Sequence, residues 1–274
     1  MGHSARYERK YLIQESRAVA IADYLSSYLQ PSVHNNTGPV RGHPVISLYM
    51  DTPDFFFFRQ AYTGHLNRMK LRIRFYDDHW KKPAFLEVKR RVHEVICKDR
   101  AMMTREGVRQ ILTQGLASQP FWPDVAHLLH GRRRQDVSDD FWNYANISKA
   151  RGALYISYIR EIWEAPDDEE LRVTFDREIH GSYYDGSGEL RVPKRGWRPF
   201  LPPYLAPMPH DGVVLELKYD TRAPIWMADL VRTFNLNQIA ICKYTACVYA
   251  QQMHVHRRIL PELEHDLIAA TWKD

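Results

Sequence analysis

Arginine, lysine and glutamate recur at every second position in several short apolar segments of this 274-residue sequence. In LRIRFY, Arg72 and Arg74 stand on either side of an isoleucine, and in LEVKRR, Glu87 and Lys89 stand on either side of a valine. Successive side chains of a β-strand point to opposite faces, so residues two positions apart share a face. The spacing therefore predicts strands with one apolar face and one face that carries charge.

The same spacing recurs along most of the chain. The further charged positions are Arg6, Glu8 and Lys10; Lys98 and Arg100; Arg160; Arg172 and Asp176; and Glu216, Lys218 and Asp220. The simplest interpretation is an antiparallel sheet whose charged face lies in solvent. Solvated strand faces favour Thr and Ser, however, whereas these positions are almost all Arg, Lys or Glu. That choice favours the opposite orientation, in which the apolar faces lie outward under helices and the strands close into a barrel lined with charge.

An enclosed and mostly cationic lumen needs an anion to fill it, because unpaired charges in a confined space repel one another and lose hydration. Chains of phosphate groups meet that need, since arginine binds phosphate oxygens through two parallel hydrogen bonds and lysine acts as a point charge. A minority of carboxylates could hold a divalent cation that bridges the same phosphates. The pattern indicates a metal-assisted phosphate site whose basic residues have electrostatic roles, without a His, Ser or Cys nucleophile.

Hydrophobic periodicity and turn residues predict an α+β fold built mainly from antiparallel strands. Strands are expected at 5–13, 45–52, 70–76, 84–97, 152–164, 171–180, 188–192 and 213–220. Helices are expected at 14–30, 104–115, 123–131, 136–150, 225–235 and 237–253, with an aromatic turn or short helix at 54–62. Because no repeat, low-complexity linker or domain boundary is visible, we expect residues 1–274 to form a single domain.

The composition is that of a globular protein with a sizeable core, since 45% of the residues are hydrophobic. No run approaches the roughly eighteen apolar residues of a membrane helix, and the N-terminus lacks the apolar stretch of a signal peptide, so we expect a cytoplasmic protein. Cys97, Cys242 and Cys247 show no CxxC spacing, which argues against a disulfide framework and a zinc knot and favours incidental thiols. The net charge of +5 indicates only a weak preference for anionic partners.

The charged motifs, taken in order, resemble those of the triphosphate tunnel metalloenzymes (the CYTH-like superfamily), and among these the catalytic domain of VTC-type polyphosphate polymerases. The resemblance runs from about residue 5 to residue 252. The motifs are ExK in RYERKY and LEVKRR, RxR in LRIRFY, the last residue of YIR, RVTFD, LELK and CKY. Each motif alone is weak, but their order and spacing together are specific.

The resemblance implies a topologically closed tunnel and an enzyme that transfers the terminal phosphoryl group of ATP to a growing polyphosphate chain. Such an enzyme releases ADP and uses Mn²⁺ or Mg²⁺. The catalytic residues that it implies are Arg72, Arg74, Lys89, Arg160, Arg172 and Lys243. The same six residues would bind the phosphates of ATP, pyrophosphate and polyphosphate together with Lys10, Lys98 and Lys218. The implied metal ligand is Glu216, and further candidates are Glu8, Glu87 and Asp176.

Two positions depart from the family pattern. Hydrolytic members of the superfamily carry ExExK on the first strand, but here the first acidic position is Arg6, which removes one potential metal carboxylate and favours the polymerase branch. The usual Ser-Lys-Tyr is Cys242, Lys243 and Tyr244 here, which keeps the lysine. Since no membrane span is predicted, coupling of synthesis to export would need a separate membrane protein.

Other functions are compatible with the same charged strands. An inorganic triphosphatase or related phosphohydrolase would use water as the acceptor, and a non-catalytic polyphosphate-binding protein would keep the tunnel without turnover. A nucleic-acid-binding sheet would need aromatic residues on the charged face for base stacking. Tyr11, Phe75 and Tyr219 alternate with the charges and so face the other way, although Tyr76 and Tyr158 do not. We therefore expect no nucleic-acid partner.

Overall fold

Ten strands and six helices make up the part of the chain that the computed structural model describes, namely residues 7–35, 41–93, 95–113, 134–200, 212–220 and 222–255. The strands are β1 (Tyr7–Ile13), β2 (Gln30–Pro31), β3 (His43–Asp51), β4 (Arg68–Phe75), β5 (Ala84–Val92), β6 (Val95–Met103), β7 (Arg151–Ala165), β8 (Asp168–Tyr183), β9 (Arg198–Pro199) and β10 (Val213–Tyr219). The helices are α1 (Glu15–Leu25), α2 (Phe56–Tyr62), α3 (Arg105–Thr113), α4 (Arg134–Ser148), α5 (Ile225–Thr233) and α6 (Lys243–Val255).

All ten strands belong to one antiparallel sheet, which is strongly curled. The main order is β1-β10-β8-β7-β3-β4-β5-β6, with β2 beside β7 and β9 beside β8. Five strands separate β1 from β5, so a flat sheet would hold them about 29 Å apart at its usual spacing of about 4.8 Å per strand. Yet Lys89 Nζ on β5 lies 3.2 Å from Glu8 Oε2 on β1. The sheet is therefore a half-barrel, and the face that carries these two residues is its concave face.

The convex face carries the apolar positions of the alternating strands, as the sequence predicts. Leu71, Ile73 and Phe75 of β4 are fully buried in a cluster that includes Val108 of α3 and Phe141 of α4. A second cluster joins β1, β8 and β10 to α1 and α5; its members include Tyr11, Val173, Phe175, Leu215, Ile21 and Leu230. Burial of each such side chain stabilises the fold by roughly 1.5–3 kcal/mol before entropy is counted. These two clusters hold the curled sheet and its outer helices together.

The concave face is charged over only part of its area. Its remainder is apolar and lies under α6, where Tyr49 and Tyr158 of the sheet meet Tyr244 and Val248 of the helix. A Cβ added at Gly181 of β8 would lie 2.7 Å from the Cβ of Cys247, so this glycine permits the close approach of α6. In addition to the helices that pack on the outer face, α6 therefore covers part of the inner face, because the uncharged part of that face also has to be shielded from water.

Several predicted elements differ from those observed. The strand expected at 84–97 is two strands, because the chain turns at His93, whose φ is 54°, and returns as β6. The strand expected at 188–192 is not formed, and residues 184–192 are irregular around two glycines with φ near 75°. The last helix begins at Lys243 instead of 237. The helix expected at 123–131 and the position of Arg6 lie outside the described residues.

Among the helices of the described ranges, none combines the length and the apolar character needed to cross a bilayer.

Candidate functional site

The register of the curled sheet brings the charged motifs of separate strands side by side on the concave face. On one half, Arg72 of β4 lies opposite Glu87 of β5, which lies opposite Arg100 of β6. On the other half, Lys10 of β1 pairs with Glu216 of β10, and Arg160 of β7 pairs with Asp176 of β8. Carboxylates thus lie between basic residues of neighbouring strands.

Glu87 is the acidic centre of the first half. It is 1% exposed, and its Oε2 accepts a hydrogen bond of 2.6 Å from Arg72 Nε. The other cations within 4 Å of its carboxylate are Arg74 at 3.6 Å, Lys98 at 3.5 Å and Arg100 at 3.6 Å. Although burial opposes ionisation, attraction to Arg72, Arg74 and the other two cations holds the pKa of Glu87 well below its usual range. One carboxylate therefore holds four cations in place.

Asp176 and Glu216 form the acidic centre of the second half. Arg160 binds Asp176 with two hydrogen bonds of 2.6 Å and lies 3.3 Å from Glu216. Lys243 Nζ lies 2.6 Å from Asp176 Oδ2 and 2.8 Å from Glu216 Oε1. Lys218 and Lys10 lie 2.7 and 3.6 Å from Glu216. Burial opposes ionisation of both acids, but attraction to these cations keeps the pKa of each below its usual value.

Glu8 connects β1, at one edge of the half-barrel, to β5, which lies next to the other edge strand β6. Its carboxylate lies 2.9 Å from Lys10 Nζ on its own strand and 3.2 Å from Lys89 Nζ on β5. Burial, together with repulsion from Lys10 and Lys70, outweighs the attraction of Glu8 and lowers the pKa of Lys89 to about 8. This part of the site holds more positive charge than its own carboxylate neutralises.

Lys243 owes its position to the anchoring of α6. The next residue, Tyr244, stacks on Tyr49 with ring centroids 4.9 Å apart and donates a hydrogen bond of 2.7 Å to Asp51 Oδ2. Asp51 is 2% exposed and also accepts hydrogen bonds from the backbone amides of Phe57 and Phe58, in the first turn of α2. The first residue of α6 is thereby fixed over Asp176 and Glu216.

Several buried polar atoms of the concave face have no hydrogen-bond partner within the part of the chain that the structure describes. The donors and hydroxyls are Nε of Arg74, Arg100 and Arg172, Oγ of Ser47 and Oγ1 of Thr174, and one acceptor, Oε1 of Glu87, lies 3.5 Å from Lys98 and 3.6 Å from Arg100. Buried polar groups are normally hydrogen-bonded, so such a group requires a reason. Arg74 is only 7% exposed and lies opposite Ser47 in the register, which places unsatisfied donors next to each other. A ligand with several acceptor oxygens would satisfy them.

A cavity of about 550 Å³ lies at one end of the charged area. Its basic lining residues are Lys10, Arg68, Lys70, Lys89 and Arg91, and its carboxylate among the described residues is Glu8. Arg68 lies directly opposite Arg91, and Lys70 directly opposite Lys89, in the β4–β5 register. Like charges at directly opposite positions destabilise a sheet. The arrangement is understandable when an anion lies between these strands.

Most of the predicted site residues come together in this way. Lys10, Arg160, Lys218 and Lys243 surround Asp176 and Glu216; Arg72, Arg74 and Lys98 surround Glu87; Lys89 binds Glu8. Arg172 forms its ion pair with Glu164, 3.7 Å from Arg172 Nε, and not with Glu8, Glu87, Asp176 or Glu216. It nevertheless stands opposite Lys218 in the register of β10 and β8.

Sequence reasoning missed several residues of the site. They are Arg68, Lys70 and Arg91, which continue the same alternation along β4 and β5. Extending the count by two residues from Lys89 and by four from Arg72 would have found them. Tyr49, whose hydroxyl accepts a hydrogen bond of 2.9 Å from Arg72, carries no charge and gave no such signal. Cys242, expected to be incidental, lies 2.9 Å from Lys70 Nζ.

The acidic residues fit a divalent cation that takes most of its ligands from phosphate. No group of three or more His, Cys, Asp and Glu side chains suited to a metal occurs among the described residues. Asp176 and Glu216, however, lie close enough to share one ammonium group. Mg²⁺ and similar ions are usually bound by one or two carboxylates together with substrate phosphates and water. Glu216 with Asp176 is therefore a suitable pair. Glu8 is a neighbour of the same centre, since Lys10 Nζ lies 2.9 Å from Glu8 and 3.6 Å from Glu216, whereas Glu87 belongs to the other half of the site.

Comparison with known proteins identifies the family. None of the curated proteins matches this sequence. Among solved structures, a protein from Bacillus halodurans described as a "putative adenylate cyclase" is similar, with a TM-score of 0.45 and 15% identity over 87% of this chain and 94% of that chain. The family model of the VTC domain matches residues 5–251, almost the whole sequence, and the chain therefore belongs to the VTC domain family.

Proposed function

We propose that this protein is an ATP-dependent polyphosphate polymerase, which transfers the terminal phosphoryl group of ATP to a growing polyphosphate chain and releases ADP. Membership of the VTC domain family supports an enzyme that handles nucleoside triphosphates or polyphosphate. The observation that carries the choice of a polymerase is the extent of the cationic surface, which continues from the acidic centres into the cavity at one end.

Along β4 alone, Arg74, Arg72, Lys70 and Arg68 follow one another on the concave face. Six residues of strand span about 20 Å at about 3.3 Å per residue. A hydrolase of short phosphate chains needs cations only around the bond that it cleaves. The additional like-charge pairs, Arg68 with Arg91 and Lys70 with Lys89, suit a longer anionic chain that leaves through the cavity.

The basic residues would act by binding, orienting and neutralising charge. Arg74 and Arg160 are positioned by ion pairs, so these arginines need little reorganisation when phosphate oxygens arrive. Phosphoryl transfer is accelerated mainly by such positioning and electrostatic stabilisation, without a covalent enzyme intermediate. A divalent cation held by Glu216 and Asp176 would supply further neutralisation of phosphate charge. Arg172, at the rim of the site, would hold a more distant part of the substrate.

Closure of the half-barrel into a tunnel is part of this proposal. Among the described strands, β1 and β6 do not pair through their backbones, and the Glu8–Lys89 ion pair is the contact that brings the two edges together. A phosphate chain bound between Lys10 and Lys89 would bridge the same edges through its oxygens. The single-domain organisation expected for residues 1–274 and a separate membrane partner for export also remain parts of the proposal.

The direct test is incubation of the purified protein with ATP and Mn²⁺. A polymerase produces long, acid-labile polymer and one ADP for each phosphate added. Free phosphate without polymer would instead identify a phosphohydrolase, and binding without turnover would identify a polyphosphate-binding protein. Glu216→Gln separates catalysis from binding, since tripolyphosphate binding should largely remain while polymer formation is lost. Arg74→Ala should lower turnover by about two orders of magnitude, as expected for loss of one preorganised charge donor.

A second experiment tests whether the cationic residues at the cavity bind the growing phosphate chain. Arg68→Ser with Arg91→Ser removes the outermost like-charge pair and leaves Glu87, Asp176 and Glu216 with all their cations. The double variant should make shorter polymer, seen on polyacrylamide gels, while its affinity for tripolyphosphate stays close to that of the unchanged protein. The matched control is Arg191→Ser with Arg232→Ser, because these exposed arginines bind surface carboxylates away from the concave face. Unchanged polymer length in the Arg68 and Arg91 variant would remove the cavity from the proposed path.

A further inference from the structure

We infer that the ammonium group of Lys243 and a divalent cation occupy the space between Asp176 and Glu216 in turn, so that the free protein excludes the metal and admits it only together with a phosphate chain. The inference rests on the proposed function only in taking a phosphate chain as the ligand. Lys243 would thus balance the charge of the two carboxylates while no metal is bound.

The geometry shows an ammonium group where a metal would bind. Lys243 Nζ lies 2.6 Å from Asp176 Oδ2 and 2.8 Å from Glu216 Oε1, so it bridges the two carboxylates. Asp176 is fully buried and Glu216 is 4% exposed, and Lys243 itself is only 9% exposed. A divalent cation held by Asp176 and Glu216 would have to compete for carboxylate oxygens that Lys243, Arg160 and Lys218 already contact.

The charge around the pair also disfavours a metal in the free protein. Four cationic side chains surround these two carboxylates, namely Lys10, Arg160, Lys218 and Lys243. The four positive charges therefore already exceed the two negative charges of the carboxylates. Two more positive charges in a buried site would be repelled by all four neighbours, because interactions between charges are weakly screened there. A displaced Lys243 would also need another anion as its partner.

A phosphate chain removes both obstacles. Its oxygens can accept hydrogen bonds from Lys243 and Arg160, which frees oxygens of Asp176 and Glu216. Its negative charge balances the incoming cation, and it supplies the remaining metal ligands, as Mg²⁺ and similar ions require. Lys243 suits this exchange better than Arg160, since a lysine has a single rotatable ammonium group whereas Arg160 is held by two parallel hydrogen bonds to Asp176. Metal and phosphate chain should therefore bind as one unit.

The test is a calorimetric and electron paramagnetic resonance titration of Mn²⁺ into the full chain, with and without tripolyphosphate. The unchanged protein should bind Mn²⁺ very weakly alone and take up the preformed Mn²⁺–tripolyphosphate complex readily. Lys243→Met should bind Mn²⁺ alone more tightly by roughly tenfold or more, because one competing charge has left. Adding Asp176→Asn to Lys243→Met should abolish that gain. The control Lys82→Met removes an exposed lysine that pairs with Asp77 in the turn between β4 and β5, and it should leave Mn²⁺ binding unchanged with and without tripolyphosphate.

Tight binding of Mn²⁺ by the unchanged protein alone would overturn the inference, and so would a folded Lys243→Met variant that binds Mn²⁺ no better. Circular dichroism establishes folding; should the methionine variant unfold, Lys243→Gln, which keeps a hydrogen-bonding side chain without the charge, takes its place with the same expectation. Failure of polymer formation in the ATP assay would reject the polymerase and leave the exclusion of metal standing. Polymer formation together with strong Mn²⁺ binding to the free protein would reject only the exclusion.

Discussion

At the scale of single residues, the concave face holds lysines whose charge is not fully balanced. Burial, acting with the neighbouring arginines and against the attraction of Glu87, lowers the pKa of Lys98 to about 7. Lys89, between Lys10 and Lys70, has a pKa of about 8. A lysine with a lowered pKa indicates a site that is incomplete without an anion, because a bound phosphate would raise the pKa again.

Binding of tripolyphosphate should therefore take up protons near pH 8. Lys89 is partly neutral there, and the arriving negative charge favours its ammonium form. Isothermal titration in buffers of different ionisation enthalpy measures the uptake, which should be larger at pH 8.5 than at pH 6 and smaller in Lys89→Met than in the unchanged protein. The ligand's own titration is the same in both proteins and cancels in the comparison. Equal proton uptake by the two proteins at pH 8.5 would contradict the assignment.

The lowered pKa of Lys89 also makes the free energy of unfolding depend on pH. Between its folded value of about 8 and its ordinary value of 10.5, the unfolded chain binds more protons at this residue than the folded chain does. The contribution of Lys89 to the free energy of unfolding therefore rises as the pH increases across this window. Lys89→Met should remove that contribution to the pH dependence, as measured by urea unfolding at pH 7.5 and pH 9.5.

The surroundings of Cys242 favour its thiolate form. Although burial opposes ionisation, Lys70, with Nζ 2.9 Å from Sγ, lowers the pKa of Cys242 to about 6. Alkylation by iodoacetamide should therefore modify Cys242 already at pH 7, whereas burial raises the pKa of Cys247 and should protect it. In Lys70→Met the reaction at Cys242 should move to higher pH. Peptide mass spectrometry over a pH series identifies the modified residue, and modification of Cys247 before Cys242 would show that the ion pair is not formed.

At the scale of elements, α6 and α2 are joined through Asp51. The buried carboxylate accepts hydrogen bonds from Tyr244 and from the backbone amides that begin α2. Burial raises the pKa of Asp51 despite these bonds. One side chain of β3 thus determines where both helices lie, and through Tyr244 it determines where Lys243 enters the site.

Tyr244→Phe should lower the free energy of unfolding by about 1–3 kcal/mol, since it removes one of the two hydrogen bonds to Oδ2 of the buried Asp51 and leaves only that of the Phe58 amide. The ring and its stacking on Tyr49 remain, so the change isolates the hydrogen bond. Urea unfolding measures the loss. The matched control is Tyr28→Phe, because Tyr28 also stacks, on Trp226, but is 45% exposed and lies away from α6. A loss no larger than in the control would show that Asp51 does not anchor α6.

At the scale of the whole molecule, the concave face concentrates positive charge that the net charge of +5 does not reveal. Nine cations surround four carboxylates within it: Lys10, Arg72, Arg74, Lys89, Lys98, Arg100, Arg160, Lys218 and Lys243 around Glu8, Glu87, Asp176 and Glu216. The field of such a surface attracts polyanions and is weakened by salt. The folded protein should therefore depend on its ligand for part of its stability.

Tripolyphosphate at 100 times its Kd should stabilise the folded protein by about 2.7 kcal/mol by mass action. For a chain of this size that corresponds to a rise in Tm of roughly 5–10 °C. The shift should become smaller as sodium chloride is added. Arg74→Ala should reduce the shift without lowering the Tm of the free protein, because a like charge has left the surface. A Tm that does not respond to tripolyphosphate at low salt would contradict an anion site on the concave face.

The sequence by itself determined the alternation of charged and apolar residues, and with it the strands and the shared face of each motif. This was possible because the side-chain period of a strand is fixed at two residues and needs no knowledge of distant contacts. Arg72 and Arg74, Glu87 and Lys89, and Glu216 and Lys218 were found in this way. The same rule would have reached Arg68 and Arg91 had it been followed to the ends of the strands.

Only the tertiary structure decided how these faces meet. The curl that brings Lys89 to Glu8, the place of α6 on the inner face and the hydrogen bond from Lys70 to Cys242 join residues far apart in sequence. Such contacts depend on strand order, register and helix packing, which local periodicity does not encode. For the same reason the family resemblance implied Glu216 as a metal ligand without showing that Lys243 already lies between it and Asp176.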